Sequence, residues 1–95
     1  ATIKTNLNTI VSTLQGQGWF VKLYTIPKDF NMDATEETKR QNVNAYIIAG
    51  SAGQDETIDL TGTTLETLSA NYSDGLHPNP TGYEVLATAA WTFYL

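Results

Sequence analysis

The feature that most constrains how this chain folds is an almost unbroken apolar run that ends at a proline. Residues 19–26 read Trp-Phe-Val-Lys-Leu-Tyr-Thr-Ile, and Pro27 closes the run. Aromatic and β-branched residues of this kind favour strands. Because they do not alternate with polar residues, the run is typical of a strand that is covered on both faces, as in a parallel sheet.

A helical pattern precedes this strand. Five apolar residues are spaced like one face of a helix over about residues 2–15: Ile3, Leu7, Ile10, Val11 and Leu14. Gly16 is well placed to end this helix as a left-handed cap. A helix followed by a buried strand is the αβ half of a βαβ unit. The strand that should come first is absent, so we expect the chain to begin in mid-domain.

A second helix is predicted after the loop that leaves the strand. Its cap is Asp33 or Thr35, and it ends near Gly50 or Gly53. Its expected buried positions are Val43, Tyr46, Ile47 and either Ala45 or Ala49.

The remaining residues predict a short strand, an irregular segment and a last helix. Residues 55–60 are the strand, and Leu65 and Leu68 can hold the polar segment 61–73 against the core. The last helix has Asn79 or Thr81 as its cap and apolar positions at Tyr83, Leu86, Ala87, Ala90 and Phe93.

Length and charge exclude several classes of protein. The chain has 95 residues, enough for one small domain, with no cysteine and a net charge of -5. Without a basic stripe, nucleic-acid binding is not expected. No apolar run approaches the roughly 20 residues of a membrane span, and we expect none. A surface rich in threonine and asparagine and poor in lysine is compatible with an extracellular or viral setting.

The chemistry of the chain is concentrated near its end, in residues 74–79. Asp74 lies three residues before His77, the only histidine in the sequence. Histidine exchanges protons near neutrality, with an unperturbed pKa of roughly 6.5. A carboxylate that accepts the Nδ1 proton leaves Nε2 free to act as a base. The alternative is an ordinary surface turn.

A second segment can lie near such a site. The loop 27–34 leaves the carboxyl end of the first strand, which is where ligands bind in open α/β sheets. Asp29, Phe30 and Asn31 can therefore border a pocket, or they belong to a plain connecting loop.

The stretch from Asp74 to Tyr83, Asp-Gly-Leu-His-Pro-Asn-Pro-Thr-Gly-Tyr, resembles the last conserved block of the SGNH hydrolases, the GDSL-type esterases and lipases. The upstream order is also similar to the C-terminal portion of that family, with a strand ending in Thr25-x-Pro27 and a helix that carries Asn42 and Asn44. The resemblance implies that His77 is the general base that activates a serine and that Asp74 orients it.

The sequence departs from the family pattern in lacking the nucleophile block Gly-Asp-Ser and the Gly and Gly-x-Asn-Asp blocks that complete the oxyanion hole. Ser51 lies in Ala-Gly-Ser-Ala-Gly, close to a nucleophile elbow, but an elbow needs a strand before the serine and a helix after it. Here that order is reversed, so we interpret Ser51 as part of a turn that ends a helix. Ser73 is too close in sequence to His77 to serve.

By this resemblance, residues 1–95 are the C-terminal part of one SGNH-hydrolase-like domain, a flavodoxin-like three-layer α/β/α sandwich with a parallel sheet. The implied reaction is hydrolysis of carboxylic esters, including acylated sugars, through an acyl-enzyme, with no cofactor or metal. We expect this chain alone to be inactive and to pair with a missing N-terminal half that supplies the serine. The alternative is a non-catalytic glycan-binding or structural module.

Overall fold

A computed structural model describes residues 2–92, which form three α-helices around a two-stranded parallel sheet. In chain order the elements are α1 (Thr2–Gly16), β1 (Lys22–Tyr24), α2 (Ala34–Ile48), β2 (Glu56–Ile58), a 3-10 turn (Ser69–Asn71) and α3 (Pro80–Thr92). The mixed α/β content and the order of elements predicted from the sequence are confirmed. Both strands are shorter than predicted.

The helices begin and end through side-chain and glycine caps. Asp33 caps α2, since its carboxylate accepts a hydrogen bond from the N–H of Glu36 at 2.8 Å. At the end of α1, the left-handed residue is Gly18, with φ of 91°, rather than Gly16, which is still helical. The N–H of Trp19 then reaches back to the carbonyl of Leu14 at 3.1 Å, the long bond of a Schellman motif. The helix therefore ends at Gly16, one residue later than predicted, and the left-handed residue follows two positions further on.

The two strands are parallel because α2 carries the chain back to the amino end of the sheet. Leu23 pairs with Thr57 and Tyr24 with Ile58. Beyond the ladder, the N–H of Leu60 donates to the buried hydroxyl of Thr25 at 2.8 Å. This side-chain bond continues the contact between the two segments past the end of β2.

Apolar clusters lie on opposite faces of the sheet. One contains Val11 of α1 with Val21, Ala52 and the partly buried Leu23. Since Ile58 pairs with Tyr24 rather than Leu23, it points to the other face. There it packs with Leu60, Leu65, Tyr72 and one side of α3. Helices therefore pack on both faces of the sheet, with α1 beside β1 on one face and α3 beside β2 on the other.

Coverage of the first strand is incomplete, which corrects one expectation. Trp19 and Phe20 are 65% and 62% exposed, and Tyr24 and Ile26 are also exposed. The strand predicted over 19–26 is regular only over Lys22–Tyr24. Within the part of the chain that the structure describes, β1 has a strand neighbour on one side only. The continuous apolar run therefore does not correspond to a strand buried on both faces here.

The apolar faces of the helices also differ in part from the predicted ones. In α3, Tyr83 and Ala87 are exposed, whereas Val85 and Ala89 join Leu86 and Ala90 against the core. Phe93 lies outside the described residues. Other predicted core positions that are exposed are Ile3, Ile10, Ala45, Ala49 and Leu68. Ile3 and Ile10 lie toward one edge of the apolar face of α1, whereas Ala45 lies on the side of α2 opposite the buried Val43 and Ile47.

Polar residues of α2 close the carboxyl end of β1. The carboxamide of Asn44 accepts from the N–H of Ile26 at 2.7 Å and donates to its carbonyl at 2.9 Å. Arg40, only 2% exposed, donates to the same carbonyl and to the carboxylates of Glu37 and Glu66. The buried guanidinium thus joins α2, the end of β1 and the segment after β2.

This cluster should make stability depend on acidity. The hydrogen bonds from Arg40 lower the pKa of Glu37 to about 2, from 4.5. The stabilisation by the Glu37 carboxylate is therefore fully present above pH 4.5 and is lost as the pH falls from about 4.5 to about 2. We expect Glu37→Gln to lower the free energy of unfolding by about 2–3 kcal/mol at pH 6, and by much less near pH 2. Urea denaturation at both pH values measures this.

The matched control is Glu36→Gln, which removes an exposed carboxylate from the same helical turn. Its free energy of unfolding should follow that of the wild type at both pH values. Equal losses for the two variants at pH 6 would contradict a specific role for the Arg40 cluster.

Candidate active site

The loop between the 3-10 turn and α3 is held closed by its own backbone. The N–H of Ser73 donates to the carbonyl of His77 at 2.8 Å, and Tyr72 and Pro78 form an antiparallel bridge. Between Asp74 and His77, Gly75 adopts a φ of 87°, a backbone conformation that residues with a Cβ rarely adopt. The chain therefore reverses tightly between the aspartate and the histidine.

The Asp74 carboxylate both shapes this turn and contacts the histidine. Its Oδ1 accepts from the backbone N–H of Leu76 at 2.9 Å and of His77 at 2.7 Å. Its Oδ2 lies 2.6 Å from Nδ1 of the His77 ring. The sequence separation of three residues is thus enough to bring the two side chains together, as predicted.

The charge of Asp74 determines how the imidazole is protonated. Hydrogen bonds from the backbone N–H of His77, from its ring and from the N–H of Leu76 hold the pKa of the Asp74 carboxyl well below its usual range. An ionised carboxylate only accepts hydrogen bonds, so Nδ1 of His77 must be the donor. In the neutral ring, Nε2 then carries the lone pair. His77 can therefore accept a proton at Nε2 while Asp74 binds Nδ1–H.

Both side chains lie on the surface. The His77 side chain is 69% exposed and that of Asp74 54%. Cavities of 410 Å³ beside α3 and 250 Å³ beside α2 are lined by neither residue. Within residues 2–92, the imidazole forms hydrogen bonds with Asp74 alone. A reacting group can therefore approach Nε2 from solvent or from another chain segment.

The loop that follows β1 reaches this site. The N–H of Phe30 donates to the carbonyl of Gly75 at 2.8 Å, and the carboxamide of Asn31 donates to the carbonyl of Asp74 at 2.9 Å. Asp29 accepts from the N–H of Asn31 at 2.9 Å and does not contact the Asp–His pair itself. The position of this loop at the carboxyl end of a parallel strand was the sequence signal for its place beside the site.

The start of α3 fixes the other side of the loop. Asn79 accepts from the N–H of Gly82 at 3.0 Å, so it caps α3, one of the two caps predicted. Its carboxamide also donates to the carbonyl of Ala70 at 2.6 Å, and its backbone N–H donates to the carbonyl of Asn71 at 2.9 Å. His77 is thereby placed three residues before the start of α3, a helix that is tied to the 3-10 turn.

Ser51 and Ser73 are not placed as partners of the His77 ring. Ser51 is in the turn that ends α2, and its N–H donates to the carbonyl of Tyr46 at 3.1 Å, as expected of a helix-terminating residue. That turn leads into the amino end of β2, whereas His77 lies beyond the carboxyl ends of the strands. Ser73 contacts His77 through its backbone. Neither serine hydroxyl, among the described residues, is hydrogen-bonded to the imidazole.

The acidic residues around β2 have separate partners. Asp55 accepts from the N–H of Val21 at 2.7 Å, Glu56 lies 3.4 Å from the amine of Lys22, and Asp59 accepts from Thr61. Within residues 2–92, no three His, Asp or Glu side chains are grouped in a way that could hold a metal ion. These carboxylates act in local structure.

Comparisons with other proteins add no relative. Neither family models nor curated proteins nor solved structures gave a match to this chain. In the described part of the chain, no helix combines the length and apolarity needed to cross a membrane. The geometry of the Asp74–His77 pair is therefore the main guide to function.

Proposed function

We propose that this chain supplies the general base and its orienting carboxylate to a serine esterase of the SGNH type. The observation that carries the proposal is the 2.6 Å contact between Asp74 Oδ2 and His77 Nδ1, on a loop directly before the last helix. The contact leaves Nε2 as the proton acceptor and keeps a negative charge beside the ring. The likeness of residues 74–83 to the last SGNH block supports the choice of reaction.

In this reaction, Nε2 of His77 takes the proton of a serine hydroxyl as the serine oxygen attacks the ester carbonyl. The resulting imidazolium then gives that proton to the departing alkoxide, and an acyl-enzyme remains. Water hydrolyses the acyl-enzyme by the same route, and the proton returns to the serine. Asp74 stays ionised throughout and stabilises the imidazolium through Nδ1–H.

The nucleophile and the oxyanion hole are proposed to lie on an N-terminal half outside residues 1–95, either in the same protein or in a separate chain. The exposure of the His77 side chain supports this, since Nε2 is open to a group from elsewhere. The apolar clusters on both faces of the sheet agree with a piece of a three-layer α/β/α sandwich. Exposed Trp19, Phe20 and Tyr24 beside β1 provide apolar surface for such a half to cover.

The substrate class is carboxylic esters, acylated sugars included. We call the species that contains both this chain and the nucleophile the complete protein. We expect the complete protein to hydrolyse p-nitrophenyl acetate and to be labelled by a serine-reactive fluorophosphonate, while the chain of residues 1–95 alone does neither. Active-site titration and steady-state hydrolysis measure both properties on matched molar amounts.

Two results would overturn parts of this proposal. Ester turnover by the isolated chain that is lost in His77→Gln would exclude the divided site. A complete protein that is neither labelled nor active would exclude the esterase and favour a glycan-binding or structural module.

A further inference from the structure

Two hydrogen bonds join the loop after β1 to Asp74 and Gly75 of the Asp–His turn. The Phe30 N–H donates to the Gly75 carbonyl at 2.8 Å, and Asn31 Nδ2 donates to the Asp74 carbonyl at 2.9 Å. A Cβ at Gly75 would lie only 2.9 Å from the same Asn31 nitrogen. The Asn31 carboxamide thus occupies the space beside Gly75 and binds the backbone of the residue before it.

Asn31 is itself fixed from the core side. Its backbone N–H donates to the Asp29 carboxylate at 2.9 Å. Its neighbour Phe30 packs edge-on against the buried ring of Tyr72, with the ring centres 5.2 Å apart. Tyr72 also forms an antiparallel β-bridge with Pro78, so the Phe30–Tyr72 contact links the loop after β1 to the two residues that flank the Asp–His turn. The Asn31 side chain therefore reaches Asp74 from a well-anchored backbone.

The chemistry of an amide suits this position. Its Nδ2 donates to the Asp74 carbonyl without placing a charge beside the Asp74 carboxylate, which must remain free for His77. An aspartate here would turn an acceptor toward that carbonyl and add a second negative charge. Among residues 2–92, Asn31 is the only side chain from outside the loop 73–79 that hydrogen-bonds with Asp74.

We propose that Asn31 is a positioning residue that holds Asp74 in the orientation from which its carboxylate binds His77 Nδ1. It acts through the Asp74 backbone and touches no reacting atom. The importance of this role for catalysis rests on the proposed esterase function, whereas its effect on the Asp–His contact does not.

The test uses the single histidine as a spectroscopic probe. In NMR spectra of the protein labelled with ¹⁵N, the imidazole nitrogens belong to His77 alone, because the sequence has one histidine. We expect Asn31→Ala and Asn31→Asp to broaden the Nδ1–H signal by faster exchange with solvent and to lower the fraction of the Nδ1–H tautomer. In the complete protein, kcat should fall about ten- to a hundredfold with little change in KM.

The matched control is Asn42→Ala, which removes an exposed asparagine from α2. Its ring spectrum should equal that of the wild type, and the urea midpoints of all three variants should be similar. An unchanged His77 spectrum in both Asn31 variants would overturn the positioning role. A changed spectrum in a complete protein without esterase activity would support the positioning role while excluding the proposed function.

Discussion

Replacing His77 with glutamine is expected to lower kcat for ester hydrolysis by the complete protein about 10⁴-fold, because glutamine cannot take the serine proton as the proposed general base does. The fold should be unaffected, since the side chain is exposed and its hydrogen-bond partner within residues 2–92 is Asp74 alone. Unfolding by urea should therefore show a midpoint close to that of the wild type. Steady-state hydrolysis of a soluble ester measures the loss.

Asp74→Asn separates the two tasks of the carboxylate. Asparagine keeps an Oδ1 that can accept from the N–H groups of Leu76 and His77, so the turn should survive. Its amide nitrogen would replace Oδ2 and, as a donor, would favour the wrong tautomer of His77. We expect a smaller loss of kcat than in His77→Gln.

Activity of His77→Gln within a few-fold of the wild type would show that His77 is not the base.

Local patterns predicted much of the framework. The spacing of apolar residues located all three helices, and cap residues located the starts of α2 and α3. Burial of Arg40 and Asn44 was not predicted, because apolar periodicity does not count polar residues as core. Their partners, the backbone of Ile26 and the carboxylate of Glu66, are brought together by tertiary packing.

The candidate site divides in the same way. The contact between Asp74 and His77 could be predicted because both residues lie in one turn, three positions apart. The bond from Asn31 spans 43 positions and depends on how the two loops meet beyond β1. The topology of a parallel sheet places these loops on one edge, but it does not determine which side chain donates to which carbonyl. The exposure of apolar side chains in and around β1 could not be predicted, because an apolar run does not show whether this chain itself covers both faces of the strand.

Gly82→Ala is the substitution expected to cost the most stability. Gly82 is buried in the first turn of α3, and a Cβ there would overlap the backbone carbonyl oxygen of Asn71 and lie 2.9 Å from Cβ of Pro78. That carbonyl also accepts the N–H of Asn79, so it cannot move without loss of the α3 anchor. We expect the free energy of unfolding to fall by about 2–4 kcal/mol, as for an overpacked core site.

Gly16→Ala is the matched control, since Gly16 is also helical but has no atom within 4 Å of a Cβ position. Alanine there should leave stability unchanged or raise it by up to ~1 kcal/mol, because glycine is the weaker helix former. Urea denaturation of both variants gives the comparison. Similar free energies of unfolding for the two would mean that α3 can move away from Asn71 at little cost. In that case, the close contact between Gly82 and Asn71 does not hold the loop that carries His77 in place.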